Sequence, residues 1–269
     1  VTQGLSIPSV SDGEAVDYSD SIKNLTDAVI NLMNGRHYKI SGNVTLDSPS
    51  ANIGVTAEID RYEVGDTDYY GNPVTEKFST YHVTVNLPKI SMVVSIVKSA
   101  TVSEIFVDSR YPDVILFKRT VGSSVEYKSN KDFMKDGQLD TMSLVVWFAN
   151  LGSIVNSFAG SSMTVTLDMA NALKGISYAN GTSTIVLSKD AVVFSDDMVA
   201  INKDVVISIG VRDGYPTALK VTTAMSLAGI LKPNISAELA LDDAVTKNGT
   251  DLGTQKTYDD LKKNNFSDL

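Results

Sequence analysis

Between residues 18 and 34, Ile22, Leu25, Val29, Leu32 and Met33 fall at helical spacing. Steps of three and four put them on one stripe of a helix. Asp17 or Ser19 can cap its start, Asp20 suits the positive end of the helix dipole, and Gly35 supplies a stop. At residue 37 the period changes to two. Tyr38, Ile40, Val44 and Leu46 alternate with polar neighbours, and so do Ile53, Val55, Ala57 and Ile59. This is the pattern of half-buried strands. After a turn-rich stretch at 65–73, the same reading predicts strands at 81–87, 90–97, 103–107, 114–119 and 123–127.

The middle of the chain changes character. Leu144, Trp147, Phe148, Leu151, Val155 and Phe158 recur at steps of three and four, which predicts an apolar helix over 139–158. Gly152 weakens that helix, and the β-branched residues keep a buried strand as the competing reading. A strand at 162–168 and a brief helix at 169–174 follow. A second strand series is then predicted at 182–187, 191–194, 205–212, 217–227 and 234–241. Asp213-Gly214 between two alternating runs is a hairpin signal. The tail from residue 243 is polar and ends in a short charged helix at 258–264.

The expected architecture is α+β: a large curved antiparallel sheet, a half-barrel, whose concave face is covered by a few amphipathic helices. Its division is a polar tether at 1–17, one β-rich domain at 18–245, and a polar tail at 246–269. A break in the strand series near 128–160 leaves two domains open as an alternative.

Composition narrows the function. The chain has 269 residues, 43% of them hydrophobic and 20% charged, so a globular core is available. A formal charge of −9 argues against nucleic acid and against anionic membrane surfaces. With no cysteine there are no disulfides or thiolate ligands, and with only His37 and His82 there is little from which to build a zinc site or a Ser-His-Asp triad. Both histidines fall at polar, outward strand positions. No nucleophile elbow, phosphate loop or dinucleotide fingerprint occurs. The chain therefore reads as a non-catalytic protein without a cofactor or metal.

Paired carboxylates at Asp196-Asp197, Asp242-Asp243 and Asp259-Asp260 read as turns and caps, because adjacent side chains diverge on strands and helices alike. Tyr62, Tyr69 and Tyr70 lie among acids in a hairpin loop and suit a sugar or peptide contact surface. No apolar run approaches the ~20 residues that a membrane-spanning helix needs.

The helix end and strand at 35–42, GRHYKISG, and the later hairpin at 211–221, VRDGYPTALKV, resemble the LolA/LppX-like lipoprotein-carrier superfamily. The resemblance covers residues 18–245. It implies a half-barrel with the helix around Trp147 over its concave face, and an apolar interior suited to acyl chains. It also implies an extracytoplasmic, cell-envelope location, with any lipid anchor lying before Val1. The candidate ligand-binding residues are Leu25, Val29, Met33, Leu144, Trp147, Phe148, Leu151, Val155 and Phe158. The expected partner is a lipid or another apolar small molecule. The competing reading is a structural or adhesive surface module that meets protein or glycan through its loops, and a carboxylate-based hydrolase stands third.

Overall fold

Period-two alternation dominates the sequence, and it produces one antiparallel sheet of eleven strands. The computed structural model describes residues 19–91, 95–152, 165–167, 172–194, 199–227 and 231–266. The first six strands are β1 (His37–Asp47), β2 (Ser50–Thr67), β3 (Pro73–Leu87), β4 (Thr101–Asp108), β5 (Ile115–Val121) and β6 (Ser124–Ser129). The second five are β7 (Leu173–Ala179), β8 (Thr182–Leu187), β9 (Val199–Arg212), β10 (Tyr215–Leu227) and β11 (Asn234–Leu241).

The order across the sheet is β7-β8-β9-β10-β11-β1-β2-β3-β4-β5-β6. Each strand pairs with its neighbour in sequence, with one exception. The second series is stitched to the first where β11 lies along β1, from Ile40 opposite Leu241 to Leu46 opposite Ile235. β6 and β7 remain as edges, so the sheet is open and not a closed barrel.

Among the described residues four α-helices accompany the sheet: α1 (Ser19–Asn34), α2 (Thr141–Phe148), α3 (Asp243–Asn248) and α4 (Thr254–Asn265). Among the described residues, none is long and apolar enough to cross a membrane. α1 starts and ends where its apolar stripe predicts. α2 is much shorter than the helix expected at 139–158. Asp140 caps its first turn by accepting from the Ser143 amide, but the chain leaves the helix at Asn150, whose φ is +50°. Leu151 then bridges to Val97.

The strand expected at 90–97 is instead a small hairpin of Ile90–Ser91 against Ser95–Val97. Leu173 and Lys174, expected at a helix end, begin β7. Ala172 precedes that strand, buried and outside any helix, and 169–171 lie outside the described residues. α3 was not foreseen: Asp242 caps it through the Ala244 and Val245 amides, and Gly249 closes it at φ +61°.

Strand register assigns the side chains to two faces. Tyr38, Ile40, Ile59, Tyr81, Leu87, Phe117, Leu219 and Leu239 share the first face. α1 lies over its C-terminal half, against β7 to β10. α2 lies over its N-terminal half, where the carbonyl of Phe148 accepts from Ser103 Oγ and that of Trp147 from Arg119. There Leu87, Ile90, Ile96, Val97 and Met142 form one core cluster.

His37, Asp60, Thr80, Phe106 and Leu116 share the opposite face. It carries α4, whose Tyr258 joins Phe106 and Leu116 in a second cluster. The polar tail is thus an integral part of the packed structure.

Candidate functional site

α1 does not lie flush on the sheet. Ser21 and Ala28 are buried beneath it, and its C-terminal end is clamped. Arg61 Nη1 donates to the carbonyls of Leu32, at 2.5 Å, and Gly35, at 3.3 Å. The Tyr38 hydroxyl donates to the carbonyls of Leu32 and Asn31. These donors satisfy the carbonyls that a helix end leaves open. Asn31 Nδ2 adds a bond of 2.6 Å to the carbonyl of Gly214 in the β9–β10 turn.

Nearer the N-terminus the ties are weaker. Asn24 Nδ2 reaches Ser183 Oγ at 3.4 Å, and Ser183 Oγ lies 3.5 Å from the Ser21 carbonyl.

Between these attachments helix and sheet leave an apolar cleft of about 250 Å³. The helix contributes Leu25, Ala28, Val29 and Leu32. The sheet contributes Ile40, Ile209, Pro216, Ala218, Leu219, Leu239 and Leu241. Helical steps bring the first group to one side, and the β1–β11 junction brings Ile40 opposite Leu241 on the other. Water gains nothing from such a lining, so an apolar occupant is favoured.

Of the residues expected to bind ligand, Leu25 and Val29 line this cleft. Met33 lies in α1 beside them in sequence, and its side chain is outside the described residues. Leu144, Trp147, Phe148 and Leu151 do not line it. Trp147 is engaged elsewhere: its Nε1 donates to Glu126 at 2.9 Å, Arg119 stacks over its ring at 4.8 Å, and Phe133 lies 5.6 Å away. Phe148 meets Phe117 edge-on, and Leu151 packs on the Leu87 cluster. Val155 and Phe158 are outside the described residues. The strand residues of the cleft were missed because a half-buried strand has the same alternation whether its apolar face meets core or ligand.

The histidines are not outward-facing as expected. His37 is 8% exposed, and its Nδ1 lies 2.6 Å from Oδ1 of the fully buried Asp60. Asp60 also accepts from the amides of Leu252 and Thr254 and from the Thr254 hydroxyl. Burial alone would raise the Asp60 carboxyl, but these hydrogen bonds outweigh it and hold the group below its ordinary range. His37, Asp60 and Asp251 have potential ligand atoms within 4.8 Å of one another. A separation of 2.6 Å is that of a hydrogen bond, and Asp60 is fully occupied as an anchor for the start of α4.

His82 is partly buried between Glu58 at 3.4 Å and Glu104 at 3.0 Å, stacked on Phe106. Lys39 and Lys118 complete an ion-pair row across five strands. Burial opposes the charge on Glu104, yet His82 and Lys118 together hold its carboxyl low.

The carboxylate pairs within the described residues serve as caps and ion pairs. Asp242 caps α3, Asp259 meets Arg110, and Asp260 pairs with Lys256. Asp196 and Asp197 lie outside the described residues.

Another cavity, about 650 Å³, is an open groove of mixed character, bordered by Thr45, Asp47, Lys203, Thr222 and Asn234 together with Leu46, Val206 and Ile235. Its charged groups already have partners: Asp47 accepts from Asn234 Nδ2, Lys203 Nζ donates to Asn234 Oδ1 at 2.7 Å, and Asp204 pairs with Lys174. Tyr62 is not an exposed loop residue, since it stacks on Phe78 and bonds Asp251. Tyr69 and Tyr70 are 97% and 85% exposed at the β2–β3 turn. No protein-family model matches the chain, and no curated relative matches it.

Proposed function

We propose that this chain is a non-catalytic binding protein of the extracytoplasmic cell envelope that holds a lipid or other apolar ligand between α1 and the sheet. The single observation that carries the reading is the cleft beside Leu25 and Val29, apolar on both walls. Pockets of this kind, concave and apolar, are where small hydrophobic molecules bind. The sequence resemblance to the LolA/LppX-like carriers supports the same use of the space. His37 and Asp60, the most enzyme-like pair in the chain, are fully employed in anchoring α4, which supports a binding role over a catalytic one.

Native mass spectrometry of the purified protein, followed by organic extraction, tests the proposal. A co-purifying acyl species that leaves on denaturation is the expected result. Clean apoprotein that also fails to take up a fluorescent fatty acid would overturn it.

A second reading has its own observation. Tyr69 and Tyr70 form an edge-to-face pair at 5.5 Å on a turn held by Asp68, which accepts from the Tyr70 and Asn72 amides. Two exposed rings on a turn of fixed backbone suit an adhesive surface module. Loss of surface attachment in a Tyr69→Ser/Tyr70→Ser variant with unchanged fatty-acid uptake would favour that reading.

A further inference from the structure

We infer that the α1 cleft selects its ligand by the length and slenderness of an apolar chain and is indifferent to the chain's polar head. The inference rests on the cleft being the binding site proposed above.

Three observations carry it. First, every residue that lines the cleft is apolar, from Leu25 and Val29 on the helix to Leu219 and Leu239 on the sheet. Selectivity for a head group needs polar groups that converge on it, because discrimination comes from donors or acceptors left unpaired by the wrong ligand.

Second, the polar side chains that fasten α1 to the sheet are already committed to the protein, and the buried Ser21 Oγ, which has no partner among the described residues, does not line the cleft. Asn31 donates to Gly214, Asn24 to Ser183, Tyr38 to Leu32, and Arg61 to Leu32 and Gly35. Recruiting one of them for a ligand head would break a bond that fixes α1 to the sheet. The head is therefore left in solvent, where a carboxylate, a hydroxyl and an ester are all hydrated without help from the protein.

Third, the cleft is small. Its volume of about 250 Å³ lies below the roughly 300–1,000 Å³ of pockets that enclose drug-sized molecules. It takes one flexible chain segment and excludes a rigid fused-ring system. Within it each added methylene tightens binding about fourfold, equivalent to about 0.8 kcal/mol. The gain stops when the chain outgrows the walls.

The test titrates the delipidated full chain with a homologous series of saturated fatty acids. At one chain length it compares the acid, the alcohol and the methyl ester, and a sterol is run beside them. The expected result is about fourfold per methylene up to a plateau, the three heads within about twofold of one another, and no sterol binding. A head-group difference of about tenfold or more, an affinity flat in chain length, or tight sterol binding overturns the inference while the binding role stands. Failure of every chain to bind overturns both.

Val29→Asp provides the control for location. Val29 is 53% exposed, so the substitution leaves the fold intact while placing a charge at the cleft wall. Weakening of alcohol and ester binding by about tenfold is expected, and unchanged binding overturns the assignment to this cleft.

Discussion

His37 Nδ1 lies 2.6 Å from Asp60 Oδ1 on the sheet face opposite the α1 cleft, and the carboxylate has no exposed surface. Two backbone amides, the Thr254 hydroxyl and, at 3.3 Å, the Tyr62 hydroxyl also donate to it, so one side chain from β2 organises the start of α4. Because these hydrogen bonds hold the Asp60 carboxyl below its ordinary value of 3.8, the folded state favours the charged form. The stabilisation is present above the unfolded-state value and is lost as pH falls through the lower folded value.

Unfolding midpoints in urea are therefore expected to fall as pH is lowered below about 4. Asp60→Asn should flatten that acid limb. Asp60→Ala should cost about 3–5 kcal/mol at neutral pH, since it leaves buried donors without their acceptor. An acid limb in Asp60→Asn as steep as in the parent would show that other carboxylates carry it.

Tyr258 anchors α4 between Phe106 and Leu116 at 1% exposure, and its hydroxyl has no partner among the described residues. Burial, with the nearby Asp108, pushes its ionisation up to about 12. Tyr258→Phe is expected to leave stability unchanged or raise it by up to about 1 kcal/mol, because an unpaired buried hydroxyl is a cost. Tyr258→Ala should cost about 3–5 kcal/mol by opening a cavity. Both are read from urea unfolding at neutral pH, and a Phe variant weaker than the parent would mean that the hydroxyl is paired.

Gly42 sits opposite Leu239 where β11 is stitched to β1. A Cβ there would come within 1.9 Å of the Glu238 carbonyl oxygen, which is backbone and cannot swing aside. Gly42→Ala is expected to cost more than the roughly 1–3 kcal/mol of ordinary overpacking, with amide exchange rising first along β1 and β11. Gly54→Ala is the control. Its Cβ meets nothing closer than 3.5 Å, so it should cost under about 1 kcal/mol.

Local pattern determined much of this molecule. The stripe of Ile22, Leu25, Val29 and Leu32 specifies α1, and the alternation from Tyr38 onward specifies most of the strands. The Asp213-Gly214 turn, with φ of +52° and +78°, specifies the β9–β10 hairpin. These features depend on neighbours a few residues away, so they are written in the order of the side chains.

Only the tertiary structure decided the rest. Which strand lies beside β1 depends on a pairing between residues 40–46 and 235–241, and periodicity does not register partners so distant. His37 looked outward because its neighbours alternate, yet α4 arrives from the far end of the chain and buries it against Asp60. α2 stops at Phe148 because the backbone turns at Asn150 to meet Val97, although the apolar spacing runs on. The α1 cleft is the same kind of fact. Leu25 and Leu239 are apolar whether they touch or stand apart, and the helix clamp at Tyr38 and Arg61 sets the distance between them.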